Sequence, residues 1–177
     1  MALRPGTYRL AVVCSDVVGG NINNWEQTVT VPRLDPDQLS TSTLILADSI
    51  EQVPLRSIGT GQFVIGSSKV RPRIGDTFKR NEVLGIYMKM YNFGVDDVSR
   101  RPQGQIEYEV VKTGSAEPIG KGAEDVSKIP DASGTQVTFQ KFLRLDAFTP
   151  GSYTLRLKIT DKNRNQVLTR SAQFTVT

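Results

Sequence analysis

Two stretches of the sequence share one pattern: Pro5-Gly6-Thr7-Tyr8-Arg9-Leu10-Ala11-Val12-Val13-Cys14 and Pro150-Gly151-Ser152-Tyr153-Thr154-Leu155-Arg156-Leu157-Lys158-Ile159. Their offset is 145 residues (150 minus 5), and it holds without a gap as far as Val31 and Val176. A Pro-Gly turn followed by a tyrosine and alternating apolar residues is typical of the corner before the penultimate strand of immunoglobulin-like sandwiches, where the tyrosine hydroxyl bonds back across the corner. Leu10 and Leu155 stand where an antibody domain carries its second cysteine. We therefore predict an all-β, immunoglobulin-like antiparallel β-sandwich.

The spacing of the two copies predicts how the chain is divided. A sandwich needs far more than two strands to bury its faces, and too few residues precede Tyr8 to supply the others. We expect the terminal hairpin of a truncated immunoglobulin-like module at residues 1–32, a linker at 33–40, and a complete sandwich of seven to nine strands at 41–177. Because an isolated hairpin is only marginally stable, we expect it to dock along this sandwich or to form a truncation-induced dimer.

Alternating and apolar segments between turn residues predict the strands. A long polar loop from Val17 to Trp25 is expected inside the first hairpin, and Cys14 is expected to be buried. We expect a bulge near Lys141, where an apolar face is interrupted, and at most one short edge strand within 113–134. Strands are predicted at about residues 7–14, 26–31, 42–48, 62–66, 83–92, 105–112, 136–145, 152–160 and 171–177.

Composition excludes several classes of function. The 177 residues are 38% hydrophobic and 23% charged, and no apolar run approaches the roughly 18 residues of a membrane span, so membrane insertion is not predicted. The net charge is only +4, with both signs interspersed, which argues against a nucleic-acid partner. With one cysteine, an internal disulfide is impossible.

The sequence contains few of the residues and motifs that enzymatic catalysis uses. It contains no histidine, which removes the usual general base and the Ser-His and Cys-His arrangements. The adjacent carboxylates Asp96-Asp97 and Glu124-Asp125 lie in polar segments, where such residues usually belong to turns. We therefore predict that the chain is not an enzyme and binds no cofactor.

A calcium site is the metal hypothesis that the sequence raises. Asp161, Asn163 and Asn165 offer oxygen ligands at alternate positions, but cations are interleaved and the glycine and distal glutamate of an EF-hand loop are missing. We favour an ordinary hairpin turn and predict no metal.

A basic segment followed by tyrosines is the candidate surface for a partner or glycan. The alternative interpretation is a solvated connection whose long side chains cover apolar surface. Trp25, the sole tryptophan, would either bind a partner or pack against a neighbouring domain. The candidate residues are Trp25, Lys69, Arg71, Arg73, Lys79, Arg80, Tyr87 and Tyr91.

Further motifs are spread over the chain: Leu44-Ile45-Leu46-Ala47-Asp48, Gly61-Gln62-Phe63-Val64-Ile65-Gly66, Val70-Arg71-Pro72, Leu84-Gly85-Ile86-Tyr87, Tyr91-Asn92 and Pro150-Gly151-Ser152-Tyr153. With these motifs, nearly the whole chain resembles the C-terminal β-sandwich region of large bacterial GWxTD-domain-containing proteins. The signature itself is absent, because the only tryptophan stands in Asn24-Trp25-Glu26. The resemblance implies an exported protein, periplasmic or extracellular, and no defined activity.

We therefore expect a non-catalytic structural or interaction module, a spacer or a protein-binding domain, of a larger exported bacterial protein. Its expected partner is another protein or a flanking domain of the same chain. The alternative is a carbohydrate-binding or adhesive β-sandwich that uses exposed aromatic side chains.

Overall fold

The computed structural model describes residues 3–130, 132 and 134–177. The chain forms two compact units, and the boundary along the chain lies between Pro36 and Asp37. Each unit is described by itself below.

The first unit is an antiparallel hairpin of β1 (Gly6–Ser15) and β2 (Ile22–Val31). Asp16 and Asn21 close its turn, where the Asp16 amide donates to the Asn21 carbonyl at 2.8 Å. The predicted long loop as far as Trp25 is therefore wrong. The backbone ladder continues through the polar residues at the start of β2, where side-chain periodicity gives no strand signal.

One face of this hairpin is largely apolar, although it also carries Asn23 and Gln27, and it is exposed to solvent. Leu10 is 48% exposed and Val12 is 42% exposed, although both lie on the same strand face as Tyr8, where a buried strand carries its apolar residues. The prediction that Cys14 is buried is also wrong, because its thiol lies on this same open face. Alternation of apolar residues indicates which face of a strand could be buried. Burial itself requires a second sheet or another element that packs on that face.

The second unit consists of two sheets. The five-stranded sheet has the order β10-β9-β12-β13-β7, and the six-stranded sheet has the order β11-β8-β4-β6-β5 with β3 paired to β8. All pairs are antiparallel except β13 with β7. The strands are β3 (Ser40–Thr41), β4 (Ile45–Gln52), β5 (Val64–Ile65), β6 (Ser68–Pro72), β7 (Thr77–Phe78), β8 (Val83–Tyr91), β9 (Gly104–Lys112), β10 (Pro118–Asp125), β11 (Val137–Arg144), β12 (Gly151–Asp161) and β13 (Gln166–Val176).

This connectivity is that of an immunoglobulin-like sandwich, so the predicted fold class is confirmed. The chain crosses between the sheets from β6 to β7, from β7 to β8, from β8 to β9, from β10 to β11 and from β11 to β12. β8 and β11 pair as strands B and E do, while β9, β12 and β13 pair as C, F and G do. Two-residue strands and the additions at β5 and β6 bring the total in the described part of this unit to eleven, above the expected seven to nine.

The main core lies between the two sheets. Alternate residues of β12 point into it, and Tyr153, Leu155, Leu157 and Ile159 are all buried there. An aromatic cluster closes one end of the core, where the Tyr153 ring lies 5.2 Å from Phe148 and 5.5 Å from Phe174. Such ring pairs add packing energy beyond the area that they bury.

β8 is buried on both faces, which explains why its sequence fits more than one periodicity. Its even-numbered residues enter the main core, and Tyr87 on the other side packs into a second cluster with Ala47, Ile50 and Val70. Two buried faces require an almost continuous apolar run, so alternation is lost.

Two local predictions are corrected. The register of β11 with β8 continues without a shift through Lys141, so no bulge occurs there. Lys141 keeps its place on the strand and its ammonium bonds the Glu124 carboxylate of β10 at 2.6 Å, which satisfies its charge. The segment 113–134 contains β10, an edge strand of eight residues and not a short one.

Candidate interaction surfaces

Arg73 of the predicted basic surface is committed to a structural ion pair. Its guanidinium bonds Asp48 at 2.9 Å and also Glu82, and it lies 4.4 Å from the centre of the Phe78 ring. Only about a fifth of its side chain is exposed, at 21%. The Lys79 amide and, after it, Arg73 hold the pKa of the Glu82 carboxyl below its ordinary value. The placement of Arg73 on a binding surface is therefore corrected.

Tyr87 is likewise corrected from a surface residue to a core residue. It is buried, and its hydroxyl donates to the Ile65 carbonyl at 3.2 Å. Burial raises the pKa of Tyr87 to about 12. Because β8 carries apolar residues on both faces, the face opposite Leu84 is covered as well.

The remaining cations of this segment do not form one patch with Tyr91. Lys69 and Arg71 are exposed on β6, whereas Lys79 and Arg80 precede β8. Tyr91 ends β8, and nine strand residues place it about 26 Å from the start of that strand. Arg80 donates to the Asp146 carbonyl at 3.0 Å. Lys69, Arg71 and Arg73 lie around one concavity, whereas Tyr87 belongs to the core and Tyr91 lies at the far end of β8.

Trp25 belongs to the first unit. It lies on β2 opposite Val12 and is 52% exposed, so its indole is on the open apolar face. The indole offers both an apolar ring and an N–H donor, which suits a partner that buries it.

The turn between β12 and β13 is held by Asp161, which is fully buried. One carboxylate oxygen accepts from the amides of Asn163 and Arg164 at 2.9 and 3.1 Å, and the other accepts from the Gly94 amide at 2.6 Å. The Asn163 side chain returns a bond to the Gly94 carbonyl at 2.8 Å. These oxygens serve backbone donors, as the turn interpretation of Asp161 and Asn163 requires.

The paired carboxylates are also engaged locally. Asp96 accepts from the Ser99 amide at 2.7 Å, and this bond holds the pKa of Asp96 below its ordinary value. Asp125 accepts from the Ser127 hydroxyl and amide, which lowers the pKa of Asp125 in the same way. The shift of the pKa at Asp96 and at Asp125 is opposite to the raised pKa that a general acid needs.

A charged sheet face was missed at the level of sequence. Lys158 of β12 bonds Glu107 of β9 at 2.9 Å, and Arg156 bonds Glu109 at 3.2 Å. These cross-strand pairs lie on the solvent side of the five-stranded sheet, opposite the buried residues of the same strands. The alternation of charged with apolar residues in 154–160 was the signal that could have found them.

Within the described ranges there is no group of three or more histidine, cysteine, aspartate or glutamate side chains that could hold a metal ion. Over the same ranges, no helix has the length and apolar character needed to cross a membrane.

No family model and no curated protein sequence matches the chain. Among solved structures, β-glucosidase from Listeria innocua in complex with glucose is similar, with a TM-score of 0.37 and 12% identity over 78% of this chain and 16% of that chain. The complex of the same enzyme with isofagomine gives 0.37 and 13% over 78% and 16%. The chain thus spans about a sixth of these proteins, and a likeness at this level carries no argument about function.

Proposed function

We propose that the chain is a non-catalytic structural or interaction module, a spacer or protein-binding element of a larger exported bacterial protein of the kind that its sequence resembles. The observation that carries the proposal is the use of its ionisable groups. Arg73, Asp161 and Lys141 are each engaged by internal partners, and Asp96 and Asp125 cap turns. A catalytic site would instead leave such groups converging on open space.

The repeated hairpin supports a role as a spacer. Two modules of one type joined by a short connection containing Pro32 and Pro36 would be semi-rigid, because proline restricts its own backbone and that of the preceding residue. A semi-rigid tandem holds a flanking domain or a bound partner at a defined distance.

A distance measurement between spin labels tests the spacer role. In a Cys14→Ser background, labels at Thr28→Cys and Glu117→Cys would report on the two units from exposed positions. We expect a narrow distance distribution that is unchanged by salt. A broad distribution, similar to that of a flexible chain of equal length, would contradict the spacer role.

A carbohydrate-binding or adhesive role is the second candidate. It is supported by three exposed aromatic residues, Trp25, Phe63 and Phe142, which could stack on sugar rings. A glycan array followed by isothermal titration calorimetry with the glycans that it retains tests it. Binding that is lost in Trp25→Ala but not in Phe63→Ala would establish this role for Trp25. If no glycan on the array binds the chain, the carbohydrate-binding role is contradicted.

A further inference from the structure

The β1–β2 hairpin repeats the β12–β13 hairpin residue for residue. Every cross-strand pair keeps the sequence offset of 145, as the pairs Gly6–Val31 and Gly151–Val176, Tyr8–Val29 and Tyr153–Phe174, and Ser15–Ile22 and Thr160–Val167 illustrate. Register in a hairpin is fixed by turn type and loop length, so both features are shared.

The bonds that shape the two hairpins are also the same. The Tyr8 hydroxyl donates to the Arg4 carbonyl at 2.7 Å, and the Tyr153 hydroxyl donates to the carbonyl of Thr149, again four residues earlier. Asp16 accepts from the Val18 amide at 2.9 Å, as Asp161 does from the equivalent amide. The last turn residue has a positive φ in both copies, 71° at Gly20 and 53° at Asn165.

The structure also shows what covers this kind of hairpin. β12 pairs with β9 along its second edge, and its inner face shares one core with β8 residues of the opposite sheet such as Leu84 and Met88. The Gly94 amide reaches the free oxygen of the Asp161 carboxylate. Residues equivalent to Tyr8, Leu10, Val12 and Cys14 are all buried by these elements.

We propose that the exposed face of the β1–β2 hairpin is a docking surface for the remaining strands of an immunoglobulin-like sandwich. This inference rests on the proposed role of the chain as tandem modules. The partner would supply an antiparallel strand along β1, an apolar sheet across Leu10 and Val12, and a loop amide that donates to Asp16. It is thus a polypeptide partner that lacks its own closing hairpin.

Neither residues 37–177 nor a second copy of the chain fits this description. β9 is already paired on both edges, with β10 and with β12, so it offers no second edge of the kind that β12 occupies. A second copy of the first hairpin would offer neither a strand equivalent to β9 nor a loop amide equivalent to that of Gly94.

A transplant within the full chain tests whether the hairpin can close such a sandwich. Residues 6–31 replace residues 151–176, which are 26 residues in both cases (31 minus 6 plus 1, and 176 minus 151 plus 1). The original Cys14 is changed by Cys14→Ser, so the cysteine carried with the transplant is the only thiol. We expect this thiol to react with Ellman's reagent at least about 100-fold more slowly than Cys14 of the unaltered chain, because reaction then requires local opening.

A second transplant guards against failure to fold. Phe174, Ala172 and Leu168 are kept in place, since the equivalent Val29 would leave a cavity and the equivalent Gln27 and Asn23 would bring amide groups against the core. The matched control transplants residues 7–32, which shifts the register by one and turns the side chains of Tyr8, Leu10, Val12 and Cys14 outward.

The thiol reactivities of the two variants decide between support for the docking proposal and its rejection. A protected thiol in the second transplant and an unprotected one in the control would support the proposal. Equal reactivity of the second transplant and the control would overturn it. The unaltered chain gives two further outcomes that would overturn the proposal. Protection of Cys14 in a monomer would show that residues 37–177 cover the face, and protection in a dimer seen by light scattering would show that a second copy covers it. The spin-label distance tests the spacer role independently of the docking proposal, because Thr28 lies on the face of the hairpin opposite the proposed docking surface.

Discussion

The hairpins β12–β13 and β1–β2 have the same turn, register and tyrosine bond, and they differ in what surrounds them. Leu155 is fully buried, whereas the equivalent Leu10 is half exposed. The shared features all lie within the hairpin and the few residues before it, so they are local. The comparison separates what a hairpin sequence determines by itself from what only a second layer can add.

The aspartates of the two turns show the same division. Asp16 and Asp161 both cap their own turn, but only Asp161 is tied to a loop distant in sequence, through the Gly94 amide. There is no room for a side chain at Gly94, where a Cβ would lie 2.7 Å from the Cβ of Asn163. The local half of the motif forms in both units, and its long-range half requires a neighbouring loop.

The largest difference should appear when matched core leucines are truncated. We expect Leu155→Ala to lower the free energy of unfolding of the second unit by about 2–5 kcal/mol, because it leaves a cavity in a packed core. We expect Leu10→Ala to leave that transition unchanged within about 0.5 kcal/mol. Urea unfolding followed by circular dichroism compares them. Equal losses would show that Leu10 also belongs to a packed core.

The turn aspartates should differ next. Asp161→Ala leaves the Gly94 amide and two turn amides without their acceptor, so we expect a loss of about 2–4 kcal/mol in the second unit. Hydrogen exchange at the Gly94 amide should accelerate in parallel. Asp161→Asn is the milder control, since it retains one acceptor oxygen.

Asp16→Ala is the matched change in the first unit. We expect exchange to accelerate only at the Val18 and Gly19 amides, with the urea midpoint of the second unit unaffected. A shift in that midpoint would contradict the local role assigned to Asp16.

The corner tyrosines should give a smaller contrast. Tyr153→Phe removes a hydroxyl that bonds the Thr149 carbonyl at the edge of the core, and we expect a loss of about 1 kcal/mol. Tyr8→Phe should cost less than about 0.5 kcal/mol, because water can replace the hydroxyl at a more exposed corner. Thermal unfolding of both variants provides the measurement. A larger loss of stability for Tyr8→Phe than for Tyr153→Phe would contradict the expected order.

The part of this fold that could be predicted from sequence is the part carried by local signals. The Pro-Gly corner, the tyrosine and the alternation of β12 predicted the sandwich class and both hairpins. The prediction failed at Cys14, because alternation alone does not supply a covering layer. It also failed at the polar starts of β2 and β13, where backbone pairing extends the strands without apolar side chains.

The candidate surface was predicted least well, for a related reason. Arg73 and Tyr87 were grouped with their neighbours by closeness in sequence, but each meets partners from other strands. Arg73 finds Asp48 of β4, and Tyr87 finds the Ile65 carbonyl of β5. Pairings of this kind depend on the order of strands in the sheet, which periodicity does not contain.

The smallest expected effect is a change in titration at the exposed turn. Bonds from the Gly19 and Val18 amides hold the pKa of the Asp16 carboxyl below its ordinary value. A carboxyl with a lowered folded-state pKa stabilises the turn above its unfolded-state pKa, and this contribution is lost as the pH falls through the folded-state pKa. We therefore expect the NMR titration midpoint of the Asp16 carboxyl carbon to lie lower in the native chain than in urea. Identical midpoints would show that the turn does not form without a covering sheet. The conclusion that the hairpin sequence alone determines this turn would then be wrong.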